Sequence, residues 1–288
     1  MTETQHPAAS PGKLKILVTE DNLVNRVLAQ KLLEKFGHAV TLATNGKEGA
    51  AVWSANPPRH FDVILMDIQM PIMDGLQATA FIRGRELALN AEPNPENLAP
   101  LHIPIVAMTA HAMKGDRERY LAGGMDDYIS KPVRPADLET IIQSVVIRLR
   151  APAPPSSTGL SNPTNFEELP VNNIEESDIL AHFEGDAELV RELAEIFLRE
   201  CPRLLHDLRA AIQNADAQAL ERSAHSLKGS VGNFSVSMAH TSANQLEMLG
   251  KSGSTEGAAQ IFAALETQLQ RFNQVLAGLA KEPAPHTR

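Results

Sequence analysis

The first half of the chain alternates short apolar runs with segments whose apolar residues recur at helical spacing. The most apolar run, residues 61–66 (FDVILM), leaves no polar face, which is typical of a central parallel strand covered by helices on both sides. Strand and helix patterns alternate five times, so the sequence predicts a flavodoxin-like, doubly wound α/β fold with a five-stranded parallel sheet. The predicted strands lie near residues 14–18, 40–43, 61–66, 103–108 and 128–129, and the predicted helices near 23–36, 47–53, 76–87, 114–122 and 135–150.

The second half shows helical periodicity and no strand pattern from residue 175 onward. Helices with one apolar face each and short joints between them predict an all-α antiparallel bundle. Pro202 lies inside the longest of these helices, where we expect a kink or a break. The predicted helices are 177–183, 186–214, 217–231, 236–249 and 257–280.

The two halves are separated by a segment that contains five prolines in residues 151–170 and few apolar side chains. We therefore divide the chain into a domain at 14–150, a Pro-rich linker at 151–174 and a second domain at 175–280, with disordered ends at 1–13 and 281–288. Residues 87–101 form an unusually long connection between a helix and a strand, and we interpret them as an insertion that offers a docking surface.

Composition excludes several classes of function. With 26 basic and 35 acidic residues the formal net charge is −9, which argues against nucleic acid or an anionic membrane as the main partner. A single cysteine, Cys201, excludes an internal disulfide and a cysteine metal site. No apolar run approaches 18 residues and the first 13 lack signal-peptide features, so we expect a soluble, cytoplasmic chain without membrane insertion.

Polar side chains follow the predicted strands at the points where these end. Because the carboxyl ends of parallel strands share one edge of a sheet, these side chains are expected to lie together. Clustered carboxylates repel one another unless a cation lies between them, and oxygen ligands suit Mg²⁺. The residues concerned are Glu20, Asp21, Asp67, Thr109 and Lys131.

These residue types together favour phosphoryl chemistry. Asp67 can act as a carboxylate nucleophile, while Lys131 supplies a positive charge and Thr109 a hydroxyl donor for a bound phosphoryl group. Each residue also has an ordinary interpretation, because Asp67 can cap a turn, Lys131 can be a solvated lysine and Thr109 a strand-end hydroxyl. Because all five residues are expected at one edge of one sheet, we interpret them as a phosphoryl-transfer site.

A second candidate site lies on the predicted helix 217–231. Its buried stripe is expected to contain Leu220, Ala224, Leu227 and Val231, so that His225 is displaced from the stripe and reaches solvent.

The neighbours of His225 on that face are Arg222, Lys228 and Gly229. Glycine inside a helix lowers helix stability by about 1 kcal/mol relative to alanine. At Gly229 the missing side chain would offset this loss by giving a partner protein room to approach the imidazole. Lys228 can stabilise a phosphoryl group on the ring. The alternative is an ordinary surface histidine, and no histidine spacing typical of a zinc site is present.

Four motifs in the first half resemble the receiver domain of two-component signalling, namely VTEDN at 18–22, LMDIQMPIMDG at 65–75, IVAMTAHA at 105–112 and GGMDDYISKPV at 123–133. The resemblance implies that Asp67 is the phosphoacceptor and that Thr109 and Lys131 contact the phosphoryl group. It also implies that Tyr128 turns inward on phosphorylation, although a half-buried strand tyrosine is its ordinary interpretation. The implied ligands of Mg²⁺ are Glu20, Asp21, Asp67 and the backbone carbonyl of Gln69.

The segment AHSLKGSVGNF at 224–234 resembles the signature of histidine-containing phosphotransfer (HPt) domains, in which His225 would be phosphorylated. A receiver with an HPt domain implies a phosphorelay: a histidine kinase phosphorylates Asp67, and His225 delivers the group to a downstream response regulator. Such a pair is similar to the C-terminal end of hybrid histidine kinases, so the chain is either a free-standing protein or a fragment of such a kinase.

Two further interpretations remain open. One is an interaction module that phosphorylation switches and in which His225 is idle. The other is a Mg²⁺-dependent phosphatase of the haloacid-dehalogenase type, which requires a second Asp where this chain has Gln69. No Gly-rich ATP-binding motif, second kinase-type histidine helix or DNA-binding region is recognisable, so kinase activity is expected only as part of a larger hybrid kinase.

Overall fold

Five strands of one sheet form the centre of the N-terminal part of the chain. The structure is a computed structural model that describes residues 12–92, 99–110, 115–150, 176–234 and 237–281. It divides into two compact units, one built round the sheet and one of helices, and each is described by itself. The strands are β1 (Lys15–Thr19), β2 (Ala39–Ala43), β3 (Val63–Asp67), β4 (Ile105–Thr109) and β5 (Asp127–Ser130).

The order of the strands is β2-β1-β3-β4-β5, and the pairs β1–β2, β1–β3 and β3–β4 are parallel. Every residue of β3 and β4 is buried, as the unbroken apolar runs in these segments predict. The predicted flavodoxin-like parallel sheet is therefore confirmed.

Five helices accompany the sheet: α1 (Leu23–Lys35), α2 (Gly46–Ala55), α3 (Gly75–Ala91), α4 (Asp116–Ala122) and α5 (Pro135–Arg150). Their starts follow from capping side chains. Asn22 Oδ1 accepts hydrogen bonds from the backbone N–H groups of Val24 and Asn25 at 3.0 and 3.2 Å. Asp74 and Gln77 form a reciprocal capping box at the start of α3.

Helix α3 ends four residues later than predicted, at Ala91. The reason is that Leu87 to Ala91 contain good helix formers and no breaker. The side chain of Asn90 then exchanges two hydrogen bonds with the backbone of Leu101, at 2.6 and 2.9 Å, and so connects the end of α3 to the start of the chain entering β4. The predicted insertion is shorter than 87–101 for this reason, and residues 93–98 lie outside the described residues.

A polar network ties α3 to the segments that precede β4 and β5. Arg83 contacts Glu86 at 2.6 Å and Asp126 at 2.7 Å, and Asp126 also lies 2.6 Å from Nε2 of His102. Glu86 and Asp126 accept hydrogen bonds from the backbone N–H groups of Ile103 and Ile105, respectively. Because these residues lie at the starts of β4 and β5, the network is at the opposite ends of the strands from Asp67 and Thr109.

The second unit consists of α6 (Glu176–His182), α7 (Ala187–Gln213), α8 (Ala217–Gly232), α9 (Ser237–Lys251) and α10 (Ala258–Leu279). Helices α7 to α10 pack in a closed ring, each against the next and α10 against α7. Edge-to-face contacts between Phe183, Phe197, Phe234 and Phe272, with centroids 5.3–6.0 Å apart, fill its centre. The predicted helical bundle is therefore confirmed.

Of the kink or break expected at Pro202, the break is wrong, because α7 continues through the proline, and the kink stays a prediction. The buried face of α7 runs past the proline through Cys201, Leu204 and Leu208, so packing on both sides of Pro202 maintains the helix despite the missing N–H group. None of the helices in the described ranges is long and apolar enough to cross a bilayer. The predicted linker at 151–174, the disordered start up to residue 11 and the tail from residue 282 lie outside those ranges.

Candidate functional site

Three carboxylates meet where β1 and β3 end. Asp67 is the last residue of β3, and Glu20 and Asp21 directly follow β1, its neighbour in the sheet. One oxygen from each of the three lies within 4.8 Å of the others. Glu20 and Asp67 are 1% and 2% exposed, and Asp21 is half-buried. Parallel pairing of β1 and β3 therefore brings together residues that are 46 positions apart in the sequence (67 minus 21).

The turn after Asp67 depends on a glycine. Gly75 donates its N–H to the carbonyl of Ile68 at 3.0 Å, which brings the start of α3 against the end of β3. A Cβ atom at Gly75 would lie 2.1 Å from the carbonyl oxygen of Asp67, so no other residue fits without a backbone shift. The N–H group of Gln69 points back to Oδ1 of Asp67, at 3.3 Å.

The carboxylate cluster suits a hard divalent cation. Its members offer oxygen ligands, and three buried or half-buried carboxylates at this separation repel one another unless a positive charge lies between them. The structure thus brings Glu20, Asp21 and Asp67 together as an acidic site that can hold a metal ion. The backbone carbonyl of Gln69 remains a predicted ligand.

Thr109 ends β4, which pairs with β3 so that Asp67 lies opposite Met108. It is 3% exposed, and its hydroxyl lies 2.8 Å from the hydroxyl of Tyr120 on α4. Tyr120 is also buried, and burial raises the pKa of its hydroxyl above the usual value of 10. Tyr120 was not among the residues predicted for this site, because its place in a predicted helix gives no indication that it reaches a strand end.

The other two predicted residues of this edge belong to β5 and its end. Lys131 directly follows β5 and is half-buried, and Tyr128 lies within β5 and packs as a half-buried ring against the core. The placement of Lys131 at a strand end agrees with the prediction. The roles predicted for Lys131 and Tyr128 remain predictions.

The histidine site of the second unit lies on α8. The predicted buried stripe is correct, since Leu220, Ala224, Leu227 and Val231 have no exposed surface. The imidazole of His225 lies beside this stripe rather than within it, and its predicted access to solvent stays a prediction. Its Nδ1 atom lies 2.9 Å from Oε1 of Glu247 on α9, a partner that the pattern of α8 alone could not reveal.

Lys228, which was predicted to share a helix face with His225, reaches the neighbouring helix α9. It is 3% exposed, its Nζ atom forms an ion pair with Oε2 of Glu247, and it lies 3.3 Å from Oδ1 of Asn244. Lys228 and His225 thus contact the two oxygens of one carboxylate. Of the other predicted neighbours, Arg222 is exposed and Gly229 is half-buried.

Glu247 is ionised at neutral pH. Although burial raises the pKa of this carboxyl group, the hydrogen bond and charge of His225 and the charge of Lys228 outweigh burial and lower the pKa from 4.5 to about 2. The sequence signal for Glu247 was its place next to Leu246 and four residues after Ala243, both buried in α9. A carboxylate at the edge of an apolar stripe indicates a polar partner on the facing helix.

Comparison with known families identifies both units. Residues 16–143 match the model of the response regulator receiver domain, and residues 192–275 match that of the Hpt domain. The chain carries a receiver domain followed by an Hpt domain. This order of domains supports a role in a phosphorelay.

Several known proteins are similar to the chain. Sensor protein GacS of Pseudomonas syringae pv. syringae is 33% identical over 246 residues, which cover 85% of this chain and 25% of that protein. Hybrid signal transduction histidine kinase I of Dictyostelium discoideum is 44% identical over 136 residues, or 46% of this chain and 7% of that protein. The chain therefore spans a quarter or less of the length of these two relatives.

Among solved structures, the receiver domain of the sensor histidine kinase PA1611 from Pseudomonas aeruginosa PAO1 is 36% identical. The similarity covers 47% of this chain and 98% of that one, with a TM-score of 0.38. That receiver domain has a magnesium ion coordinated in its active site cleft.

Proposed function

We propose that this protein is a phosphorelay intermediate that takes a phosphoryl group from a histidine kinase on Asp67, passes it to His225 and delivers it to a separate response regulator. The observation that carries the proposal is the presence, on one chain, of a clustered carboxylate acceptor and an imidazole held by an ionised buried carboxylate. In this proposal the receiver domain comprises residues 14–150, the Hpt domain residues 175–280, and the segment 151–174 links them.

In the first step an oxygen of the Asp67 carboxylate attacks phosphorus in the phosphohistidine of the kinase. The bond from phosphorus to nitrogen breaks, the imidazole leaves, and an acyl phosphate forms on Asp67. Mg²⁺ held by Glu20, Asp21, Asp67 and the Gln69 carbonyl would offset the negative charge of the carboxylates and the phosphoryl oxygens. The hydroxyl group of Thr109 donates a hydrogen bond to a phosphoryl oxygen, and Lys131 contributes its positive charge.

In the second step His225 attacks the acyl phosphate. Because the Glu247 carboxylate can only accept a hydrogen bond, the proton of the neutral imidazole lies on Nδ1 and the lone pair lies on Nε2. Nε2 therefore forms the new bond to phosphorus while the bond to the Asp67 oxygen breaks. The ring becomes positively charged as it takes up the phosphoryl group, and the negative charge of Glu247 stabilises it.

A labelled-phosphate chase tests the proposal. The full chain is incubated with Mg²⁺ and a small labelled phosphodonor, and the products are separated as hydroxylamine-labile acyl phosphate and acid-labile phosphohistidine. We expect label to appear first on Asp67 and then on His225. Asp67→Asn is expected to lose both labels, and His225→Gln is expected to keep the acyl phosphate only. Label that never leaves Asp67 in the unchanged chain would contradict a relay and favour the interaction module.

We further propose that transfer between the two sites occurs within one chain, because a tether gives the second site an effective concentration on the order of millimolar. The test mixes the Asp67→Asn chain with the His225→Gln chain, so that only intermolecular transfer remains. We expect relay in the mixture to be slower than in the intact chain and to depend on protein concentration. An equal rate in both samples would contradict transfer in cis.

A second candidate is that the chain is the regulatory C-terminal part of a hybrid sensor kinase. The observation that favours it is the similarity over 85% of this chain to one quarter of a sensor kinase. This proposal keeps the same chemistry and changes only the donor, which would be a kinase domain of the same longer protein. The phosphatase interpretation has less support, because Gln69 is two positions after Asp67, where that mechanism requires an acid.

A further inference from the structure

The hydroxyl groups of Thr109 and Tyr120 form a buried pair beside the acceptor carboxylate. Their oxygens are 2.8 Å apart, and the two residues are 3% and 4% exposed. Thr109 ends the strand next to β3, the strand that carries Asp67, whereas Tyr120 comes from the middle of α4. The pair therefore connects α4 directly to the edge of the sheet at which the phosphoryl group is proposed to form.

We propose that Tyr120 is a positioning residue for phosphorylation of Asp67: its hydroxyl donates to Oγ1 of Thr109 and thereby directs the Thr109 proton to the phosphoryl group. The inference rests on the proposed function, since it requires an acyl phosphate on Asp67. It adds to that function a second hydroxyl that never touches the phosphoryl group and acts through Thr109.

The direction of the hydrogen bond follows from counting protons. A hydroxyl has one proton to donate, and phosphoryl oxygens can only accept. Once Thr109 donates its proton to the phosphoryl group, its bond to Tyr120 persists only if Tyr120 is the donor. Tyr120, Thr109 and a phosphoryl oxygen then form a chain in which each hydroxyl polarises the next, so donation by Thr109 is strengthened.

The surroundings of Tyr120 keep it in this role. Its ring packs in the hydrophobic core with Ala107 and Met125, and its carbonyl oxygen accepts a hydrogen bond from the N–H of Met125 at 3.1 Å. Burial raises the pKa of the hydroxyl above its usual value of 10, so it is protonated and can donate a hydrogen bond at neutral pH. Core packing therefore sets the position of the hydroxyl before any phosphoryl group arrives.

The test is a double-mutant cycle in the full chain carrying His225→Gln, which prevents onward transfer from Asp67. The variants are Tyr120→Phe, which removes one oxygen and keeps the ring, Thr109→Val, which keeps the branched shape, and both together. The measurement is the initial rate of acyl phosphate formation with Mg²⁺ and acetyl phosphate. We expect Tyr120→Phe to slow it about three- to tenfold, the range of one net hydrogen bond.

The cycle separates positioning from simple loss of stability. If Tyr120 acts through Thr109, Tyr120→Phe should change the rate less than about twofold in a chain that already carries Thr109→Val, because the hydroxyl it acts on is gone. A further variant, Thr109→Ser, keeps that hydroxyl, so in this background Tyr120→Phe should still slow the reaction about three- to tenfold. Ser144→Ala serves as the matched control, because it removes another partly buried hydroxyl of the receiver domain, one that donates to the carbonyl of Ile141 at 2.9 Å. This control is expected to leave the rate unchanged.

Two results would overturn the inference and leave the proposed function intact. One is an unchanged rate in Tyr120→Phe, and the other is an equal slowing by Tyr120→Phe with and without Thr109→Val. Absence of hydroxylamine-labile label from the His225→Gln parent would overturn the proposed function and this inference together. Melting temperatures of all variants, followed by fluorescence of Trp53 in the receiver domain, show that the rates compare folded proteins.

Discussion

Oε1 of Glu247 lies 2.9 Å from Nδ1 of His225, and the other oxygen of the same carboxylate forms an ion pair with Lys228. One buried acid on α9 thus connects the proposed phosphorylation site to a buried lysine on the same helix as the histidine. In the proposed relay, Glu247 on the neighbouring helix therefore controls which nitrogen of His225 carries the proton and stabilises the charge of the ring.

Neutralising Glu247 is expected to slow transfer to His225. Glu247→Gln removes the negative charge that stabilises the imidazole ring as it becomes cationic, and an amide no longer determines which ring nitrogen carries the proton. We expect the rate of transfer from Asp67 to His225 to fall about tenfold or more, while phosphorylation of Asp67 is unchanged. Glu195→Gln, an exposed site on α7, is the matched control. Equal transfer rates in the Glu247 and Glu195 variants would contradict this role.

The stability of the Hpt domain is expected to depend on pH through Glu247. Its pKa in the folded state, about 2, is below its usual value of 4.5. The ionised carboxylate therefore contributes stability that is fully present above pH 4.5 and is lost as the pH falls towards 2. From this difference the contribution is about 3 kcal/mol.

Urea unfolding followed by circular dichroism measures this contribution. At pH 6 the free energy of unfolding of the helical domain should be higher in the unchanged chain than in the Glu247→Gln variant. At pH 3 this difference should be smaller. A difference that stays constant over this range would contradict the low pKa of Glu247.

The stability of the receiver domain is expected to depend on pH through His102, in the opposite direction from the dependence at Glu247. A hydrogen bond with Asp126 raises the pKa of His102, against the effect of burial and of the Arg83 charge, and Glu86 adds to the increase. The protonated ring therefore contributes stability that is fully present below the unfolded value of 6.5 and is lost as the pH rises through the higher folded value.

His102→Gln tests this prediction. The melting temperature of the receiver domain, followed by Trp53 fluorescence, should drop in the variant at pH 5.5 and be close to that of the unchanged chain at pH 8.5. His60→Gln is the control, since its ring contacts Phe61 and lies outside the polar network. A drop that is equal at both pH values would show that protonation of His102 does not contribute.

Gly75 and Gly84 lie on the same helix and are expected to respond oppositely to alanine. A Cβ at Gly75 would lie 2.1 Å from the backbone of Asp67, whereas a Cβ at Gly84 meets nothing within 4 Å. We expect Gly75→Ala to destabilise the receiver domain by about 1–3 kcal/mol or more and to slow phosphorylation of Asp67, because the turn that carries it must shift.

Gly84→Ala is expected to stabilise the receiver domain by about 0.5–1 kcal/mol, because alanine favours the helix and meets no neighbour. Urea unfolding and acyl phosphate formation are measured for both variants. If Gly75→Ala were as stable and as readily phosphorylated as Gly84→Ala, the close approach between α3 and β3 would not matter for the site.

Most of the fold could be predicted from local patterns. The apolar runs that became β3 and β4, the caps at Asn22 and Asp74, and the buried stripe of α8 each depend on residues within one or two turns of each other. The two differences in the helices have separate causes. Helix α3 continues to Ala91 because residues 87–91 are good helix formers that the predicted boundary left out, whereas the continuity of α7 through Pro202 depends on the packing of its buried face, which local patterns do not contain.

By itself the sequence determined which residue types end the strands, that these strands run parallel, and that a histidine lies beside the apolar stripe of a helix. Strand alternation is sufficient to bring Glu20, Asp21 and Asp67 to one edge, because parallel strands with helical crossovers have their carboxyl ends on the same side. The three carboxylates were therefore predictable as a group before their distances were known.

Only the tertiary structure decided which side chains support these sites. Tyr120 reaches Thr109 from α4, and Glu247 reaches His225 and Lys228 from α9. The rotation of one helix against its neighbour determines such contacts, and that rotation results from the packing of all buried residues rather than from any motif. The same cause placed Lys228 inside the bundle, where its charge faces Glu247 rather than solvent.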